Sequence, residues 1–148
     1  RVLFRSRACE RGGADAVTAV NTFVGMAIDL DHMRSRLGKA TGGLSGPAIK
    51  PLALARCWEA SHAVRVPVVG SGGIVSGRDA LEFIAAGATA VQVGTATFVE
   101  PQAATRVLAE MREWLAAHGH ARLTDLIGAF DAPAAQDRAP APTPRGRS

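Results

Sequence analysis

Two short β-branched runs, each ending in glycine and each followed closely by a helix pattern, constrain the fold more than any other feature of this chain. Val66-Pro67-Val68-Val69-Gly70 leads into Ser71-Gly72-Gly73, and Ala90-Val91-Gln92-Val93-Gly94 leads into Thr95. Strands that are apolar on both faces and alternate with helices are expected to lie parallel, buried beneath those helices. Glycine at the carboxyl end of a strand leaves the backbone amides unshielded by a Cβ, so an anion can approach them. Two such turns across one helix resemble the phosphate grip that the last two strands of a (β/α)8 barrel build. Either turn alone reads equally well as a tight connection with no ligand.

The rest of the chain repeats the unit. Ala14 to Val20 reads as an earlier strand, with Asn21-Thr22 at its carboxyl end. Phe23 to Ala40 reads as a loop, long for a compact domain and therefore of functional interest. The glycine-rich stretch Thr41 to Pro47 leads into a helix from Ile49 or Pro51 to Ala63, with Leu52, Leu54, Ala55, Trp58 and Ala63 as its apolar side. Ser76 is the expected N-cap of the next helix, with Asp79 completing a capping box and Ala80, Phe83, Ile84 and Gly87 on one face. A helix from Pro101 to Ala117 carries Ala104, Val107, Leu108, Met111, Trp114 and Leu115 at steps of three and four, and Leu123 to Ile127 forms one more short helix.

This order defines an α/β protein, either a doubly wound sheet or part of a (β/α)8 barrel. Dinucleotide binding fits poorly, because Gly70-Ser71-Gly72-Gly73-Ile74-Val75 ends in valine where the GxGxxG fingerprint ends in glycine. No acidic residue closes a following strand where a ribose would sit, and no Gly-Lys-Ser/Thr of a P-loop occurs. The barrel is the better reading. Asn21 and Thr22 then stand where barrel enzymes place residues that contact substrate, offering donors and acceptors suited to a planar polar ring. The plainer alternative is a local turn in which the asparagine bonds its own backbone.

The formal charge of +4 and the pI near 10.0 invite a nucleic-acid reading that the distribution rejects. Arg1, Arg5, Arg7, Arg138, Arg145 and Arg147 sit at the two ends, and residues 8–131 hold 11 basic against 12 acidic residues. No basic stripe interleaved with aromatics appears. Cys9 and Cys57 lack CxxC spacing, and His32, His62, His118 and His120 lack metal spacing, so no disulfide framework and no metal site are expected. The apolar runs are short of a membrane span, and Arg1 to Arg7 lacks the apolar run of a secretory signal. A reducing cytoplasm is the expected compartment.

Four motifs in order carry a specific resemblance: Asn21-Thr22-Phe23-Val24-Gly25-Met26-Ala27-Ile28-Asp29, Gly42-Gly43-Leu44-Ser45-Gly46-Pro47-Ala48-Ile49-Lys50-Pro51, Gly70-Ser71-Gly72-Gly73-Ile74 and Val91-Gln92-Val93-Gly94-Thr95. From about Gly12 to Phe130 the chain resembles the C-terminal part of dihydroorotate dehydrogenase, and its Gly-Met-Ala-Ile-Asp and Gly-Pro-Ala-Ile-Lys-Pro stretches resemble the class 1B catalytic subunit. The resemblance implies about strands six to eight of an FMN-binding (β/α)8 TIM barrel, which as a whole needs roughly 250 residues. It further implies oxidation of dihydroorotate to orotate in pyrimidine (UMP) biosynthesis. Val20, Gly46, Gly72, Gly73, Gly94 and Thr95 match FMN contacts, and Asn21 and Thr22 match residues that bind the pyrimidine.

No catalytic residue is assigned, because the general-base cysteine and the flavin lysine of the family are expected upstream of this chain. The implied partner is an electron-transfer subunit carrying FAD and a [2Fe-2S] cluster, which passes electrons to NAD within a heterotetramer. The resemblance divides the chain into an atypical segment at 1–11, the barrel portion at 12–131 and a disordered Pro/Ala/Arg-rich tail at 132–148. A piece of a barrel on its own is expected to be inactive. The competing readings are another FMN- or phosphate-binding barrel oxidoreductase and a non-catalytic phosphate-binding remnant.

Overall fold

The computed structural model describes residues 2–131, and the expected tail at 132–148 lies outside the described residues. In chain order the elements are α1 (Val2–Arg11), β1 (Val17–Ala19), β2 (Phe23–Gly25), β3 (Ile28–Asp29), β4 (Arg34–Ser35), β5 (Gly42–Leu44), α2 (Lys50–Ala63), β6 (Val68–Ser71), α3 (Gly77–Ala85), β7 (Ala90–Gln92), α4 (Ala96–Val99) and α5 (Ala103–Ala117). Turns of 3-10 helix at Pro47–Ile49 and Leu123–Leu126 complete the described chain.

Strands β1, β6 and β7 form one parallel sheet in that order, with Val17 opposite Val68 and Val69 opposite Ala90. Spatial order follows chain order with no reversal, which is how an arc of a barrel runs and how a doubly wound sheet does not. The face holding Ala19, Val68 and Gly70 is covered by helices, and Phe83 and Ile84 of α3 are fully buried there. A Cβ built on Gly70 would lie 2.6 Å from Cδ1 of Phe83, so the ring occupies the space that any larger strand residue would need. The strands were expected to be buried on both faces. On the opposite face, however, Thr18, Ala90 and Gln92 are exposed.

Ser76 caps α3 as expected. Its hydroxyl accepts from the Asp79 N–H while the Asp79 carboxylate accepts from the Ser76 N–H, a complete capping box. Ala80, Phe83 and Ile84 share the buried face.

Two helix faces differ from expectation. In α2 the buried residues are Ala53, Cys57 and Ala60, while Leu52 and Ala55 are exposed. Small side chains let this helix lie close on the sheet, so the bulkier residues turn outward. In α5 the buried stripe is Ala103, Val107 and Met111, leaving Ala104 and Leu108 exposed.

The segment from Phe23 to Ala40 is not a simple loop. β2 pairs antiparallel with β5 (Phe23 opposite Leu44, Gly25 opposite Gly42), and β3 pairs with β4 between them. The strands have two or three residues each and glycines at 25, 42 and 43, which hide them from any alternation pattern. Residues 2–11 form a helix whose Ser6 is buried. Glu10 accepts hydrogen bonds from the N–H groups of Arg65 and Val66, which ties α1 to the entry of β6.

Phe83 is the largest fully buried side chain of this core. Phe83→Ala removes it from above Gly70 and is expected to cost about 3–5 kcal/mol. Urea unfolding of the two chains followed by circular dichroism checks this, and a loss below about 1 kcal/mol would contradict the packing described.

Candidate functional site

A buried turn must place every backbone N–H and C=O with some partner. The half-buried turn between β6 and α3 meets this only in part, through the side chains of Asp79, Ser76, Glu110 and Arg106. One Asp79 oxygen, Oδ2, accepts from the N–H of Val75 at 3.0 Å, the N–H of Ser76 at 2.9 Å and the Ser76 hydroxyl at 2.9 Å. Glu110 of α5 accepts from the Gly77 N–H at 2.5 Å, and Arg106 donates to the Val75 carbonyl at 3.1 Å. The N–H groups of Gly72, Gly73 and Ile74 donate to no described residue. Those three residues line a cavity of about 190 Å³.

All eight residues singled out in the sequence line this cavity: Val20, Asn21, Thr22, Gly46, Gly72, Gly73, Gly94 and Thr95. Besides Gly72 and Gly73 of the turn after β6, they come from three places. Val20 to Thr22 follow β1 and are anchored there by a hydrogen bond from the Val20 N–H to the Ser71 carbonyl at 2.9 Å. Gly46 follows β5, and the pairing of β5 with β2 returns the chain from its long excursion to the end of β1. Gly94 and Thr95 follow β7. Sequence reasoning missed Ser45, whose hydroxyl accepts from the Thr95 hydroxyl at 2.9 Å and joins the second wall to the third. Its position inside the glycine-rich stretch was the available signal.

Glycine is required where the walls meet. Gly73 has φ +75°, and a Cβ there would lie 2.8 Å from the Lys50 nitrogen and 2.9 Å from the Gly46 carbonyl oxygen. Gly72 has φ +127°, with Cβ space already taken by Ala53 at 2.7 Å. At the mouth, Asn21 and Thr22 are exposed, and the Asn21 side-chain oxygen accepts from the Thr22 N–H at 2.7 Å. The local Asx contact therefore exists, and it leaves the amide NH2 of Asn21 directed to other partners.

The cavity lining holds no charged side chain among the described residues, so what it presents to a ligand's charge is backbone dipoles. Charge is nearby but paired. Burial works against ionisation of Asp79, yet the hydrogen bonds from Lys50, Val75 and Ser76 outweigh it and hold the carboxyl below its ordinary value. Burial likewise opposes the charge on Lys50, and its contacts with Asp79 and Glu82 overcome this and leave its pKa raised. The hydrogen bond from the Gly77 N–H, and then Arg106, lowers the pKa of Glu110. Neither cysteine lines the cavity. Cys9 is exposed on α1, and burial pushes the Cys57 thiol up to about 11.

The family model described as dihydroorotate dehydrogenase matches residues 5–115. A protein of Trichlorobacter lovleyi named dihydroorotate dehydrogenase B (NAD(+)), catalytic subunit, is 58% identical over 126 residues, which is 85% of this chain and 41% of that one. A protein of the same name from a Geobacter species is 54% identical over 130 residues, covering 88% of this chain and 43% of its own length. The crystal structure of the Eimeria tenella enzyme DHODH in complex with ferulenol superposes with a TM-score of 0.71 at 30% identity, over 86% of this chain and 34% of that one. This chain thus spans about two fifths of the curated relatives it matches.

The Asp79 network sets an acid limit. Because its folded pKa is lowered from 3.8, its stabilising contribution is complete above that value and is lost as pH falls through the lowered one. Stability is therefore expected to drop below about pH 4, and Asp79→Asn is expected to flatten that part of the profile while lowering stability at neutral pH. Chemical denaturation midpoints between pH 2.5 and 7 measure both.

Proposed function

The chain belongs to the dihydroorotate dehydrogenase family, and on that premise we propose that it forms the phosphate-gripping part, and one edge of the substrate site, of an FMN-dependent enzyme that oxidises dihydroorotate to orotate in pyrimidine biosynthesis. Its fold is an arc of three βα units from the family's (β/α)8 barrel. The observation that carries the reading is the set of three backbone N–H groups, at Gly72, Gly73 and Ile74, without partners among the described residues, in a cavity that Gly94 and Thr95 also line.

The residues present fit a phosphate monoester such as that of FMN. Three neutral donors share one turn, the glycines keep Cβ atoms out of the approach, and the N-terminus of α3 follows within a few residues. In this reading Gly72, Gly73 and Ile74 donate to the phosphate oxygens, and the Gly94-Thr95 turn closes the far side. Gly46 brings its backbone against the ligand, and Val20 supplies an apolar wall beside it. Asn21 and Thr22, at the mouth, hydrogen-bond the polar edge of the pyrimidine. When bound, FMN supplies the acceptor for the electrons that dihydroorotate loses.

The base that removes the substrate proton is assigned to no residue of this chain. Cys57 is buried with a raised pKa, and Cys9 lies on α1 outside the cavity. Passage of electrons to NAD through a partner subunit bearing FAD and [2Fe-2S], in a cytoplasmic heterotetramer, is the class 1B reading. The names of the relatives, with their NAD(+) and their catalytic subunit, support its coarser part. No helix among the described residues is long and apolar enough to cross a membrane.

Riboflavin lacks only the phosphate, so it isolates the proposed grip. Titration of FMN and riboflavin, followed by flavin fluorescence, is to be run on this chain joined to the N-terminal remainder of the Trichlorobacter lovleyi relative. FMN is expected to bind about 100-fold or more tighter, since charge-assisted hydrogen bonds contribute about 1.5–3 kcal/mol each. Equal affinities would sink the assignment of the glycine turns.

A further inference from the structure

Lys50 is placed where its own helix does not favour it. It is the first residue of α2, and a cation there faces the positive end of the helix dipole, with no acidic side chain in the first turn to offset it. Its ammonium instead crosses to α3, 2.5 Å from Oδ1 of Asp79 and 2.8 Å from Oε2 of Glu82. The pair with Asp79 is largely shielded, with side chains 24% and 13% exposed, so it is not the solvated surface contact that contributes little.

Through its backbone the same residue packs against Gly73, which lines the cavity. The Lys50 nitrogen and Cβ both stand 2.8 Å from where a Cβ on Gly73 would be, and the Gly46 carbonyl stands at 2.9 Å. One residue therefore has its main chain against the donor turn Gly72–Ile74 and its side chain on the carboxylate that organises that turn. Arg106 and Glu110 hold the donor turn from α5, but they reach only Val75 and Gly77 and do not touch the Gly46 wall.

We propose that Lys50 is a positioning residue: by bridging to Asp79 and Glu82 it locks the Gly46–Ile49 turn onto the Gly72–Ser76 turn and fixes the width of the anion cavity between them. This deepens the phosphate reading and rests on it for the ligand. The mechanical claim, that one ion pair sets the relation of two turns, stands apart from it. Lys50 does not line the cavity, and its ammonium is directed to Asp79 and Glu82.

The test uses this chain joined to the same N-terminal remainder of the Trichlorobacter lovleyi relative, uniformly labelled with 15N, as wild type, Lys50→Met and Lys50→Arg. Two readouts are taken: heteronuclear NOE values along the backbone, and the ratio of FMN to riboflavin affinity. In Lys50→Met the NOE values of residues 46–49 and 72–76 are expected to fall towards those of open loops, while those of Phe83 and Ile84 keep their wild-type values. The FMN to riboflavin ratio is expected to fall at least fivefold, and Lys50→Arg should restore both.

Unchanged turns in Lys50→Met overturn the proposal. So does a loss spread evenly through β6 and α3, which marks a bridge that only adds stability; Lys50→Gln, milder than methionine, repeats that comparison if Lys50→Met loses its amide dispersion. If the turns loosen as expected but wild type binds FMN and riboflavin equally, the positioning role stands and the phosphate reading falls.

Discussion

The carboxylate of Asp79 is the contact on which the rest of the site depends. It accepts from two backbone N–H groups, one hydroxyl and one ammonium, and in doing so satisfies the first turn of α3 and fixes the loop before it. With Glu110 on Gly77 and Arg106 on Val75, residues Val75 to Gly77 are matched, while the N–H groups of Gly72, Gly73 and Ile74 have no partner among the described residues. Those three are the ones at the cavity. These donors lie just before the matched part of the turn, and the cavity they line carries no charged side chain among the described residues.

Holding such a turn in place requires close approach of the layers, and small residues provide it. Gly70 makes room for Phe83, Ala53 and Cys57 bring α2 onto the sheet, and Ala80 and Ala88 flank the α3 connection. With few aromatic residues in the chain, the core is built from alanine and short aliphatics around one phenylalanine. That composition shortens the distances between layers, so Gly72 meets Ala53 and Gly73 meets the Lys50 backbone. The glycines of the grip and the alanines of α2 are thus two sides of one steric requirement.

Much of this was legible in the sequence. The Ser76–Asp79 capping box and the buried Ala80, Phe83 and Ile84 of α3 are local features whose signals lie within a few residues, and they form as expected. Gly87 lies beyond the end of α3 at Ala85, and β6 and β7 run Val68–Ser71 and Ala90–Gln92 where Val66–Gly70 and Ala90–Gly94 were expected. The eight residues picked from the glycine turns and Asn21-Thr22 line one cavity for a related reason: consecutive βα units deliver their carboxyl ends to the same edge of the sheet. What could not be read depends on partners distant in sequence. The buried face of α2 was assigned to its large residues, because hydropathy alone cannot show that the sheet approaches too closely for them. The β2–β5 pairing is hidden by glycine, and Lys50 meets Asp79 only across 29 residues.

The grip and the chemistry separate along the same line. The N–H groups of Gly72, Gly73 and Ile74, without partners among the described residues, lie in the one turn between β6 and α3, so three βα units suffice to form the cavity they line. Asn21 and Thr22 differ: both are exposed at the cavity mouth, and beyond them the sheet face bearing Thr18, Ala90 and Gln92 is exposed. Phe98 and Val99, next to the cavity residue Ala96, are 90% and 89% exposed. Apolar surface of this kind calls for a covering layer, and relatives more than twice as long have the chain to supply one. A phosphate can be held by backbone at the rim of an arc. Enclosing a flavin ring and excluding water from a reacting carbon need the opposite wall, which parallel strands supply only by closing the barrel.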